Sequence, residues 1–187
     1  LIMGIDSLST PLHQAVKKLC EGPDGLYYAL LFQGGITCFD KDIEKFLPVR
    51  FDKPLELKDI LDFCWNDGSL YLVTSQGLFE SRIVRKTEGK HNFVLCLLNP
   101  EPLVRGKVAH LCSDGKTNLY FSVNQRKVVH YDLVAKKTSL IKEYSVVNRL
   151  FLKHGYLWIC RLWDDIICYD LKTNEERVIS MEGKDQS

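Results

Sequence analysis

The side chains of this 187-residue chain with chemistry to offer are seven cysteines, five histidines and a recurring set of aspartates. The thiols are Cys20, Cys38, Cys64, Cys96, Cys112, Cys160 and Cys168. No two stand two to four residues apart, as a zinc site or redox motif requires, and no pair of histidines has the complementary spacing. The thiols therefore read as reduced, buried small hydrophobes, with no disulfide expected. His13, His91, His110, His130 and His154 are scattered, and His110 and His130 fall inside expected strands, where a satisfied histidine is the simpler reading than a catalytic base. Asp40, Asp132 and Asp170 recur at strand ends, where a carboxylate caps turn backbone. The sequence holds no Gly-x-Ser-x-Gly elbow, phosphate-cradling loop, dinucleotide fingerprint or His-Glu-x-x-His motif. The expectation is a non-enzyme with no catalytic residue, no metal and no cofactor.

Charge adds a second kind of chemistry. The net charge is +1, yet residues 81–160 carry a net of +9 between segments of −5 and −3. Arg82, Arg85, Lys86, Lys90, Arg105, Lys107, Arg126, Lys127, Lys136 and Lys137 carry that basic sector. Such a field attracts an acidic peptide, a phosphorylated segment or nucleic acid by steering and counterion release; its plainer use is solubility. The apolar runs Tyr27–Phe32 and Phe93–Leu98 are far short of the roughly 20 residues that span a bilayer, so no membrane helix is expected. The start, Leu1-Ile2-Met3-Gly4, has no basic segment or long apolar run, so no signal peptide is expected, and no Asn-x-Ser/Thr sequon occurs.

The elements that must position these groups repeat. Leu26, Leu70, Leu119 and Leu157 each open a Leu-aromatic pair, 44, 49 and 38 residues apart. Each is preceded by a turn rich in Asp, Gly or Asn, such as Asn66-Asp-Gly68, that supplies the positive φ of a tight hairpin. Before that turn comes an apolar stretch with Cys20, Cys64 or Cys112 in one column; after it comes an aromatic-rich stretch that carries Cys38 and Cys168 in another. Four strands in a unit of about 45 residues match one blade of a β-propeller. A rival reading is helical: Thr10-Pro11 followed by apolar residues at 12, 15, 16 and 19, and Leu57, Ile60, Leu61 and Cys64, have helical spacing.

Segments such as Gly155-Tyr-Leu-Trp-Ile159 through Ile167-Cys-Tyr-Asp-Leu171, and Asn118-Leu-Tyr-Phe-Ser122 through Val129-His-Tyr-Asp-Leu133, resemble the blades of the WD40, Kelch and NHL-like propeller superfamily. The WD40 dipeptides are missing at their usual places, Kelch double glycines are absent apart from Gly34-Gly35, and the hemopexin-like Asp-Ala pattern is not present. The resemblance implies an all-β fold in a single domain, 1–187, with blades at about 12–52, 55–99, 105–144 and 146–182, forming either part of a propeller or a closed four-bladed disc.

The function expected from this is a non-catalytic interaction scaffold in a larger intracellular assembly, in the cytoplasm or nucleus. Its partners would be proteins, among them an acidic peptide, a chain that completes the propeller, or a second copy of itself, with no membrane contact. The expected contact surface lies on the loops: Gln33, Gln76, Trp163, Asp164, Arg126, Lys127, Arg105 and Lys107, with Trp163 and Arg126 as its anchors. Two alternatives stand beside it: a ligand-binding sensor or enzyme with a central-channel site, and nucleic-acid or acidic-partner binding through residues 81–160. Nucleic-acid binding lacks interleaved exposed aromatics.

Overall fold

A computed structural model describes residues 15–32, 34–41, 43–51, 59–86 and 92–180. Seventeen strands and no α-helix occur among the described residues. The helical alternative is thereby corrected. Thr10, Pro11 and Leu57 lie outside the described residues, but Val16 and Leu19 belong to β1 (Val16–Glu21), and Ile60, Leu61 and Cys64 to β5 (Ile60–Asn66). In β5 both faces carry apolar side chains, and a strand packed on both faces loses the period-2 alternation that would have distinguished it from a helix.

The chain divides into two compact units, 1–104 and 105–187. In the first, β1 to β4 (Tyr27–Leu31, Ile36–Asp40 and Lys45–Phe51 after β1) form an antiparallel meander. A second meander runs β5, β6 (Ser69–Thr74), β7 (Gly77–Lys86) and β8 (Asn92–Leu97). Strands β4 and β8 pair in parallel, Val49 with Phe93, Arg50 with Val94 and Phe51 with Leu95, so the meanders share one sheet, with β9 (Val104–Arg105) attached to β7. Tyr28, Cys38, Phe63, Leu70, Leu72 and Phe93 fill the space between them.

The second unit holds two separate four-stranded sheets. One is β10 (Val108–Ser113), β11 (Asn118–Val123), β12 (Lys127–Asp132) and β13 (Lys137–Glu143). The other is β14 (Val147–Lys153), β15 (Tyr156–Arg161), β16 (Ile166–Asp170) and β17 (Glu176–Ile179). Val128, Leu150, Leu157, Ile159, Ile167 and Tyr169 pack in the core between them. The all-β class is as read from the sequence. Four separate blade sheets are not what forms, because the β4–β8 ladder fuses the first two meanders.

The hairpins follow from turn chemistry. Asp67 and Gly68, with φ of 44° and 78°, make the two-residue turn between β5 and β6, and His154 and Gly155, at 52° and 81°, make that between β14 and β15. Register then aligns equivalent side chains in rows across each sheet: Cys20, Tyr28, Cys38 and Leu47 in the first meander, Cys64, Tyr71 and Glu80 in the second. The third gives Cys112, Tyr120, His130 and Ser139, and the fourth gives Phe151, Trp158, Cys168 and Arg177. The cysteine columns of the sequence are positions in these rows, and none of the seven cysteines is disulfide-bonded.

Candidate functional site

The row through the third meander is polar at its outer end, in His130 and Ser139, and opens on a cavity. This cavity, about 250 Å³, is lined by Asn118, Tyr120, His130, Ser139, Leu140 and Ile141 from the third meander and by Tyr169, Leu171 and Asn174 from the fourth. Its floor is the Tyr120 ring, which packs against the His130 imidazole with centroids 5.3 Å apart and planes 28° apart. Leu140, 58% exposed, stands on its rim.

A chain of hydrogen bonds fixes the polar groups. Asp114, in the β10–β11 turn, accepts the backbone N–H of Lys116 at 2.8 Å and of Asn118 at 3.0 Å, and the Asn118 side-chain amide at 2.5 Å. Burial alone would raise the Asp114 carboxyl, but the Asn118 side chain and the backbone donors of Asn118, Lys116 and Thr117 together hold it below the ordinary carboxylate value. With its Nδ2 given to Asp114, Asn118 turns Oδ1 toward His130 Nε2, 2.6 Å away. The other ring nitrogen, Nδ1, lies 3.2 Å from Ser139 Oγ. Burial, helped by the Asp114 charge, pushes the Tyr120 phenol up to about 12, so it stays a neutral donor. Across the cavity the Tyr169 hydroxyl donates to Asn174 Oδ1 at 3.0 Å.

At one end the two sheets are held by a side-chain clasp. Glu176 accepts from Lys142 Nζ and, at 3.1 Å, from the Tyr144 hydroxyl. The Lys142 contact is the leading reason that the Glu176 carboxyl lies below its usual value. No ring of three or more metal-ligating side chains occurs among the described residues.

The residues expected from the sequence lie elsewhere. Trp163 is 95% exposed and, with φ of 60°, sits in a left-handed turn between β15 and β16. Beside it Arg161 bridges Asp164 at 2.7 Å. Arg126 is exposed in the β11–β12 turn and donates through Nε to the Ser145 carbonyl at 3.3 Å; Lys127 begins β12, and Arg105 and Lys107 are exposed just before β10. Backbone bonds from Asn124 to Lys107, Val147 to Gln125 and Leu162 to Val146 bring these loops to one side of the second unit. Gln76 is exposed in the β6–β7 turn of the first unit, and Gln33 lies outside the described residues. The cavity residues were passed over because His130 was read alone. Aligned in its row it stands where Cys38 and Cys168 stand in the first and fourth meanders, and that departure from the repeat was the available signal.

Neither a family model nor a curated protein matches the chain. Solved structures do. The extracellular domain of a one-component system from B. thetaiotaomicron superposes over 89% of this chain and 24% of its own, with a TM-score of 0.69 at 12% identity. An auxiliary nutrient binding protein from Bacteroides thetaiotaomicron VPI-5482 gives 0.61 at 17% identity, over 88% and 41%. A nidogen/laminin complex gives 0.64 at 13%, over 89% and 65%. This chain thus spans about a quarter and two-fifths of the first two.

These neighbours overturn two expectations, the intracellular scaffold and the cytoplasmic or nuclear location: they are extracellular domains and a nutrient-binding protein. The missing sequon and the reduced, buried thiols point to the inside of the cell, but the cross-strand rows account for most of the thiols by packing, whatever the compartment. The superfamily resemblance holds at the level of an all-β repeat fold, without a WD40 or Kelch assignment.

Proposed function

We propose that the chain is the ligand-binding part of an extracytoplasmic protein, built from four propeller-type blades, and that the cavity of the second unit holds a small, uncharged ligand. The observation that carries this is the cavity's construction: an aromatic floor of Tyr120 on His130, an apolar rim of Leu140, Ile141 and Leu171, and polar groups in Ser139, Asn118, Tyr169 and Asn174. Asp and Glu, Lys and Arg are absent from the lining, so charge does not select the occupant. A ligand with one flat apolar face and hydrogen-bonding groups at its edge matches both surfaces. Four antiparallel meanders in succession, and the likeness to larger extracellular structures, support the blade reading.

The test is a thermal-shift screen of small neutral metabolites against the full chain and its Tyr120→Ala variant. A ligand at one hundred times its Kd should stabilise the native chain by about 2.7 kcal/mol and leave the variant's melt nearly unmoved. Equal shifts in both would move the site away from the cavity.

A further inference from the structure

Besides holding a ligand, the cavity contains a nucleophile, a base and an orienting group in sequence. We propose that Ser139 is an activated nucleophile, that His130 is its general base, and that the second unit thereby transfers acyl groups from small uncharged esters. The proton positions follow from connectivity. Asp114 takes the Asn118 Nδ2 amide, which fixes the Asn118 carbonyl on His130. A carbonyl only accepts, so His130 Nε2 carries the hydrogen and Nδ1 holds a lone pair, and that lone pair faces Ser139 Oγ at 3.2 Å. In the neutral imidazole, base and nucleophile are thus set in the tautomer that nucleophilic attack requires, with Asn118 as positioning residue.

The surroundings fit. Ser139 is exposed on β13 and lines the cavity, so an ester can reach it. Asn174 lines the same space with its Oδ1 occupied by Tyr169, which leaves its Nδ2 amide as donor for a developing oxyanion. In the reaction Ser139 Oγ bonds to the carbonyl carbon while its proton passes to His130 Nδ1. The tetrahedral intermediate then expels the alcohol or phenol oxygen, which takes that proton from His130 Nδ1, so the acyl group remains on Ser139 and the imidazole is neutral again. Water activated by the same imidazole releases the acid. No oxidant, metal or further reagent enters the balance.

The equivalent rows lack the set. The first meander places Cys38 and Leu47 at the positions of His130 and Ser139, and the fourth places Cys168 and Arg177 there. The second has Glu80 at the position of His130, so among the described residues these rows place the set in the third meander.

The experiment treats the full chain with p-nitrophenyl acetate and follows acetylation by intact mass and peptide mapping. Ser139 should acetylate at least about tenfold faster than Ser145, an exposed serine of the same unit that serves as internal reference. His130→Gln, confirmed folded by its melt, should slow Ser139 labelling by about a hundredfold, the low end of general-base contributions. Equal labelling of Ser139 and Ser145, or unchanged labelling in His130→Gln, overturns the inference. Ser139→Ala separates it from the binding reading: a ligand-induced thermal shift that survives in this variant while wild-type labelling fails refutes only the acyl transfer.

Discussion

The two units solve the same packing problem with different closures. Each stacks two four-stranded meanders on an apolar core, and each must deal with the outer strands. In unit 1 the outer strands β4 and β8 join through a parallel backbone ladder, with Phe93 2% exposed and Leu95 1% exposed at the join. In unit 2 the outer strands β13 and β17 each pair on one side, and the link between them is the Glu176 clasp to Lys142 and Tyr144. The cavity lies in unit 2, lined by residues of both its sheets, and the comparison teaches that meanders of one topology can be joined by backbone in one pair and by side chains in the other.

The largest effect should come from the sealed seam. Phe93→Ala removes a buried ring from the β4–β8 join and should cost about 3–5 kcal/mol, read as a lower midpoint in urea unfolding. Leu140→Ala, at the open counterpart on β13, should cost under about 1 kcal/mol, since that side chain is mostly in water already. Equal losses would mean the second seam is as closed as the first.

The next effect concerns the turn that supports the cavity. Asp114→Ala removes the acceptor of two backbone N–H groups and the shorter of the two bonds of the Asn118 amide, which keeps Thr117 Oγ1 at 3.2 Å, and should cost about 1–3 kcal/mol. The Asp114 carboxyl is depressed in the folded chain, so its contribution is present above the ordinary carboxyl value of 3.8 and is lost as pH falls through its lower folded value. Acid melts of wild type should therefore show a loss below about pH 4 that the variant lacks in part.

A smaller effect is expected of the clasp. Glu176→Gln should destabilise by only about 0.2–1 kcal/mol, because the pair with Lys142 is largely in water. Glu176 is also depressed, so the clasp weakens as pH drops below its usual 4.5 and through its folded value. Amide exchange in β17 should quicken in Glu176→Gln while β8 stays protected; parallel acceleration in both would remove the distinction between the closures.

The smallest effect belongs to Trp163. At 95% exposure it contributes little packing, and Trp163→Ala should stay within about 0.5 kcal/mol of wild type and leave cavity binding intact. A Trp in a left-handed turn pays a backbone cost, so Trp163→Gly should match or exceed wild type in its melt.

The strands were legible because their signals are local: Asp67-Gly68 and His154-Gly155 dictate hairpins, and the Leu-aromatic pairs mark the second strand of each unit. The β4–β8 ladder was not, since parallel pairing between strands more than forty residues apart leaves no periodic trace in either. The site was half legible. His130 and Ser139 are nine residues apart and become neighbours only through the β12–β13 register, which a bulge between Val128 and Val129 helps to set. Trp163 drew attention through its residue type and stands 95% exposed, whereas Asn118 and Ser139 are ordinary residues made specific by what faces them.

The rows that hold the cysteines also bear on their reactivity toward oxidants, which the proposed extracytoplasmic placement would bring into contact with the chain. Disulfide exchange proceeds through the thiolate, and burial pushes the Cys38 sulfur up to about 12, with Cys20 and Cys160 raised by the same cause. The thiolate of Cys38 is therefore scarce at neutral pH, and the folded chain carries its seven cysteines as free thiols rather than as disulfides. On the proposed extracytoplasmic reading, exposure to oxidants is greatest before folding, when none of the seven sulfurs is yet held in its sheet.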